Sequence, residues 1–384
     1  MKWKQLSKED TTIYKGIAIL MIIIHNFMHL FPYVKQNEHS FHEGRFSHFL
    51  LQLWNKPEEV VQFTFSFFGH HGVQIFIFLS AYGLTKKYMN QELNYFKFMK
   101  SRILKIYPLF LWAIIFYLLI IGFYFFGDSG VLKFFFTESE AIFFDIILIS
   151  NFIPKYEMAP VAPWWFISFI FQFYIIFPFV LKAYSKWGKK ALIILSLITI
   201  TFTLLMHGKI GGVRIYLTVI ANFPEFALAI YIAKNDTKEI KMPKSLLLFA
   251  IVFYVIGNIY EPFWYITHLM ILIILLFILQ TIVPIINRRK ILTIILSFIG
   301  TLSMALFLVN GFSRSPFIDF AVYYNSWWKT IILSLLSLSV SIIISLLLVK
   351  TEKYTRGKIG IKTFIVTFTI FTIFIFFKIF IWKI

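Results

Sequence analysis

An all-α, polytopic bundle of membrane-spanning helices is the fold this sequence predicts, and three observations predict it. The chain is 59% hydrophobic and 20% aromatic, where a soluble domain runs nearer 45–50% apolar. Its mean hydropathy is +0.79, and apolar runs of spanning length recur from end to end. Its cations sit in short clusters between those runs. That pattern follows the positive-inside rule, so the net charge of +19 marks membrane topology and no nucleic-acid partner is expected. The chain has no cysteine, which excludes disulfides, thiol catalysis and Cys-ligated metals. We expect a single integral domain over 1–384.

The candidate spans are 12–30, 64–86, 102–126, 163–183, 190–207, 213–233, 245–259, 263–286, 291–312, 327–349 and 363–382. That makes about eleven transmembrane helices, within a range of ten to twelve. The first could be read as a cleaved signal, but it carries His25 and His29 and lacks an A-x-A-like site, so it is expected to be retained. The segment 140–152 is too short to span and contains Asp145, which predicts a half-helix. Lys2, Lys4 and Lys8 place the N-terminus in the cytoplasm. Further clusters at Lys86–Lys105, Lys182–Lys190, Lys234–Lys244, Arg288–Lys290 and Lys350–Lys358 mark the cytoplasmic loops. The count closes with the C-terminus outside only if 140–152 does not span. No internal repeat of the kind found in many transporters is evident.

Polar side chains inside these runs are the candidate functional residues, because they are costly in hydrocarbon. In "YKGIAILMIIIHNFMH" the first helix carries Lys15, His25, Asn26 and His29. His25 lies about 80° around the helix from Lys15 and His29 about 40°, so the three share one side. A neutral imidazole can take the proton of an alcohol that attacks an acyl group, which suits one histidine; the other is left to bind substrate. His70 and His71 open "GHHGVQIFIFLSAYGLTKKY", where Gly72, Ser80, Ala81 and Gly83 permit close helix packing. His39, His42 and His48 fall in the first outer loop beside Glu43, so seven of the nine histidines precede residue 72. H-x-x-H in a loop is a weak zinc signal, and no metal is expected.

Arg102 and Lys105 in "MKSRILKIYPLF" are positive-inside anchors or a clamp for phosphate groups. Pro108 one turn on is placed to kink that helix. "PVAPWWFISFIFQFYIIFPFV" puts Trp164 and Trp165 at the outer interface, with Gln172 and Tyr174 deeper. Asn222 and Glu225 are buried within the 213–233 run; Asn310 and Arg314 lie near the outer face.

Five stretches together resemble the acyltransferase-3 family of integral membrane acyltransferases, over about 10–350. They are "KGIAILMIIIH", "GVQIFIFLSAYGL", "SRILKIYPLF", "WWFISFIFQFYIIFPFV" and "IGTLSMALFLVNGF", in order. The resemblance implies a membrane-bound O-acetyltransferase of the bacterial cell envelope. Its expected donor is cytosolic acyl-CoA, usually acetyl-CoA, and its acceptor a hydroxyl of an extracytoplasmic glycan or polysaccharide. It implies that His25 is catalytic, that Lys15 stands for the family's basic residue, and that Arg102 and Lys105 take the place of the cytoplasmic basic pair. The family often spaces basic residue and histidine eleven apart; here that position is Asn26, His25 is one short, and His29 competes. Asn310 stands where many members have histidine. Gln172 and Tyr174 are then candidate cavity contacts, and Trp164 and Trp165 candidates for stacking on sugar. Expected partners are membrane lipids, acyl-CoA and the glycan, in the bacterial inner membrane.

Two other classes compete. A transporter or flippase for a small polar solute or lipid-linked sugar would line its path with Glu225, Lys15 and the histidines, and would need no thioester. A metal-handling protein would use His39, His42 and His48.

Overall fold

The computed structural model of the chain describes residues 2–31, 38–126 and 130–358, together with 360, 361, 363, 364, 366 and 367. It is an all-α assembly with one two-stranded hairpin. Helix α1 (Lys8–Met28) starts at a capping box: Ser7 Oγ accepts from the Asp10 amide at 3.0 Å, and the Ser7 amide donates to the Asp10 carboxylate at 2.9 Å. A short amphipathic α2 (Arg45–Asn55) follows, then α3 (Val60–Phe68), a 3-10 turn at Gly69–His71, and α4 (Gly72–Tyr88). The expected span 64–86 is therefore interrupted. A Cβ on Gly69 would lie 2.6 Å from that of His25, and one on Gly72 would meet the Ala18 carbonyl. The turn is the point where this segment is pressed against α1.

Helices α5 (Tyr95–Phe126) and α6 (Gly130–Ile146) come next. The half-helix expected at 140–152 is the end of α6 plus a 3-10 turn at Ser150–Phe152, separated by Leu148 with φ of 61°. Then follow α7 (Trp165–Trp187), α8 (Lys189–Leu205), the hairpin β1 (Lys209–Ile210) and β2 (Val213–Arg214), α9 (Phe223–Asn235), α10 (Lys244–Gly257), the one-turn α11 (Glu261–Trp264) and α12 (Thr267–Ile286). The chain continues as α13 (Lys290–Thr301), α14 (Ser303–Ser313), α15 (Ser315–Tyr324) and α16 (Trp327–Lys358).

Among the described residues, α1, α5, α7, α12 and α16 are long and apolar enough to cross a membrane; α13 and α14 add a sixth if they form one broken span. Other expected spans are present as the shorter α4, α8, α9 and α10. The run 213–233 is the largest revision: nearly half of it, up to Asn222, is strand, 3-10 helix and turn, and the helix begins only at Phe223, with Pro224 in its first turn. Most of 363–382 lies outside the described residues.

The chain groups into two compact units. The first takes residues up to Leu93, Ile176–Ser303 and Phe317–Leu335; the second takes Asn94–Ile175, Met304–Pro316 and the chain from Leu336. In the first unit α1 packs on α3, α4 and α13, α4 packs on α9, and α10 packs on α12. Gly16 and Gly300 face each other where α1 crosses α13; a Cβ on Gly16 would strike the Leu296 carbonyl, and one on Gly300 the Thr12 carbonyl. Gly83, expected to serve such packing, has nothing within 4 Å of the place its Cβ would take. In the second unit α5 packs on α6, and Trp164 is wholly buried between Phe110 and Tyr117.

Candidate active site

The last turn of α1 carries His25, and His29 caps it one turn on, so both rings lie on one face. The rings stack with centroids 4.8 Å apart. His25 is 2% exposed, and its Nδ1 lies 3.2 Å from the Phe65 carbonyl of α3. A carbonyl only accepts, so Nδ1 carries the hydrogen. In the neutral ring this leaves the Nε2 lone pair free, and Nε2 has no hydrogen-bond partner among the described residues.

That Nε2 faces a carboxylate. Glu38 lies 3.5 Å from His25 Nε2, 3.2 Å from His29 Nε2 and 3.4 Å from His39 Nε2. Burial alone would raise the Glu38 carboxyl, but the three imidazoles, His39 foremost, outweigh it and hold it well below the usual carboxylate range. Burial also pushes His39 down to about 4, against the pull of Glu38. The His25 Nε2 therefore faces an ionised acid. A proton accepted by His25 Nε2 converts that contact into an ion pair. His25, His29 and Glu38 also offer ligand atoms within 4.8 Å of one another, so the same three groups could hold a metal ion.

A second set of rings continues from His25 within the same unit. His70 lies 5.2 Å from it and His71 a further 3.8 Å on. His71 Nε2 lies 2.8 Å from the Tyr254 hydroxyl, and the His268 ring lies 6.3 Å from that of His71. The buried Arg45 places its guanidinium 4.8 Å from the Phe67 ring centre and 5.5 Å from that of Trp264. Neither ring nitrogen of His70 or His268 has a hydrogen-bond partner among the described residues.

The sequence-predicted residues divide between the two units. His25, His29 and Lys15 belong to the first. Lys15 is half-buried, about 15 Å along the helix axis from His25, with no ion pair among the described residues. Arg102, Lys105, Trp164, Trp165, Gln172 and Tyr174 belong to the second. There Arg102 is buried, donates from Nε to Ser101 Oγ at 3.2 Å, and lies over the rings of Phe98 at 5.5 Å and Tyr174 at 5.9 Å. Lys105 is exposed and Gln172 is buried. Trp164 is a core residue whose Nε1 donates to the Leu308 carbonyl at 2.9 Å; the adjacent Trp165 is half-buried, and of the two only Trp165 keeps exposed surface. Asn310 donates to the Leu306 and Phe307 carbonyls and accepts from Arg314 at 3.3 Å. Glu225 is buried, with Oε2 lacking a hydrogen-bond partner among the described residues.

Sequence reasoning missed Glu38, Arg45 and His268. Glu38 adjoins His39 in an irregular loop that gives no register. His268 was findable: it sits inside the apolar run "THLMILIILLF", and an intramembrane histidine is the criterion that selected His25.

Residues 12–350 match the acyltransferase domain that defines the acyltransferase-3 family. No curated protein and no solved structure matches the chain. The family match covers most of the chain, from the helix that carries His25 to the end of the apolar part of α16. The protein is therefore a multi-pass membrane acyltransferase of the acyltransferase-3 family.

Proposed function

We propose that this acyltransferase moves an acyl group, acetyl first among candidates, from cytosolic acyl-CoA to a hydroxyl of an extracytoplasmic glycan. Its setting is the bacterial inner membrane, with the N-terminus in the cytoplasm. The observation that carries the reading is His25, with Nδ1 held on the Phe65 carbonyl and Nε2 turned toward Glu38. In the mechanism, the acceptor oxygen attacks the thioester carbonyl as its proton passes to His25 Nε2. Glu38 stabilises the resulting imidazolium, and His29 shares that carboxylate and contacts substrate. The tetrahedral intermediate collapses by breaking the C–S bond, and the proton returns from His25 to the departing thiolate. Lys15 binds negative charge on the donor, while Arg102 and Lys105 hold CoA phosphates. Gln172 and Tyr174 contact the donor within the second unit, with Trp165 set to stack on sugar.

The test is transfer of label from acetyl-CoA to a host glycan extract in proteoliposomes. Wild type is compared with His25→Ala and His29→Ala at matched expression. We expect His25→Ala to lose about 100-fold or more of the rate and His29→Ala to retain part of it. No CoA-dependent transfer by wild type across several acceptors would sink the reading and favour transport. The metal reading rests on the His25, His29 and Glu38 grouping. Dialysis against a chelator separates it from the base mechanism, which predicts unchanged transfer.

A further inference from the structure

Beside the histidine cluster the first unit has a cavity of about 130 Å³. Three loops meet there, at 39–41, 207–209 and 261–265, with Tyr216 closing one wall. The charge pattern of the sequence assigns all three loops to the outer side. The walls are of two kinds. Tyr216, Trp264 and Tyr265 present aromatic rings, those of Tyr216 and Tyr265 lying 15° from parallel at 6.1 Å. His39, Lys209 and Glu261 present polar groups.

The aromatic wall is braced from behind. The Tyr216 hydroxyl donates to the Trp264 carbonyl at 3.1 Å, and Asn222 Nδ2 donates to the Tyr216 carbonyl at 2.8 Å. Gly208 turns the chain at φ 71°, where an added Cβ would touch the Tyr265 ring at 3.4 Å. Glu261 Oε1 accepts from the Tyr265 hydroxyl at 3.0 Å and lies 3.9 Å from Nδ1 of His207, which also lines the cavity; with the side chain 44% exposed, the second oxygen has capacity for a ligand.

Aromatic faces flanked by a carboxylate and an ammonium suit a polyol ring. The C–H face packs on the rings, and the hydroxyl edge reaches the charged groups. The volume falls below the roughly 300–1,000 Å³ of pockets for drug-sized ligands, which limits the fit to a single sugar unit. The position matters as much as the lining. His39 is both a wall of this cavity and a neighbour of Glu38, at 3.4 Å, and Glu38 is the carboxylate that faces His25.

We propose that this cavity is the acceptor subsite: it holds one sugar unit of the glycan and presents a hydroxyl past His39 toward His25. The assignment rests on the acyl-transfer reading above and adds to it the residues that select the acceptor. Specificity then resides in Tyr216, Tyr265 and Glu261.

Two measurements test it. The first needs no donor: saturation-transfer NMR from the detergent-purified chain to methyl glycosides of glucose, galactose, N-acetylglucosamine and rhamnose. We expect at least one to bind wild type, and its signal to vanish in Tyr265→Ala and Glu261→Gln but persist in Tyr265→Phe, which keeps the ring. Melting temperatures of the variants check that they are folded. The second is acceptor KM in the transfer assay, expected to rise about tenfold or more in Glu261→Gln as a charge-assisted hydrogen bond is lost, with the donor KM unmoved. Binding by none of the glycosides, or equal binding by folded variants, overturns the subsite. So does an unchanged acceptor KM in an enzyme that transfers. Binding that the variants lose, from a wild type that transfers nothing, keeps the cavity as a sugar site and removes the acyl-transfer reading instead.

Discussion

Glu38 is where the chemistry of the cluster is concentrated, because three imidazoles share its carboxylate. Glu38→Gln keeps the shape and removes the charge that receives the His25 imidazolium. We expect kcat to fall roughly ten- to 100-fold with little change in acceptor KM. A merely structural Glu38 would instead lower the melting temperature and leave the kcat of the folded fraction intact. The same loop gives a pH dependence of stability. His39 has a folded pKa of about 4 against an ordinary 6.5, so the unfolded chain binds more protons in that window and stability falls as pH drops through it. Glu38 acts in the same sense further down: its contribution is full above its ordinary 4.5 and is lost as pH falls through its lowered folded value. Melting curves should therefore move down between pH 6.5 and 4, and His39→Gln should shrink that movement. At this scale the sequence made His25, His29 and Lys15 visible, since polar atoms in an apolar helix stand out. Glu38 gave no such signal, because an acid in an outer loop is ordinary until three histidines are seen to converge on it.

Helix α1 is gripped along its length by glycines on its neighbours, and the grip predicts which substitutions hurt. Gly300→Ala or Gly16→Ala puts a methyl against a backbone carbonyl that cannot move aside. Each should cost about 1–3 kcal/mol and lower the melting temperature in detergent. Gly83→Ala meets nothing and should raise stability by up to about 1 kcal/mol through helix propensity. A drop with Gly83→Ala equal to that with Gly300→Ala would refute the distinction. The long apolar runs of α5, α7, α12 and α16 were legible because hydropathy and length suffice there. The turn at Gly69–His71 was not, because the run around it stays apolar and the break comes from α1 pressing on the backbone. The late start of α9 had local signals, Gly211, Gly212 and Pro224, which hydropathy outweighed.

At the scale of the whole molecule, the two compact units are interleaved in sequence, each built from several separate stretches. The family match runs across both. The absence of native cysteine makes topology directly measurable. His42 and Lys353 are both exposed. In intact cells, His42→Cys should react with a membrane-impermeant maleimide, and Lys353→Cys should react only after permeabilisation. Labelling of both from one side would overturn the proposed sidedness.

Helix α16 adds one consequence. Its exposed Trp327 and Trp328 are interfacial residue types, and so is Lys350. About 33 Å of helix separates Trp328 from Lys350, close to the roughly 30 Å of a hydrocarbon core. Beyond Lys350 the helix runs on through Lys353, Arg356 and Lys358, with Arg356 paired to Glu352 at 2.6 Å. This rod is a ruler with an aromatic mark at one end and a basic mark at the other. In a bilayer of shorter lipids one mark must leave its interface or the rod must lean, so the enzyme's performance becomes a property of the lipid as well as of the chain.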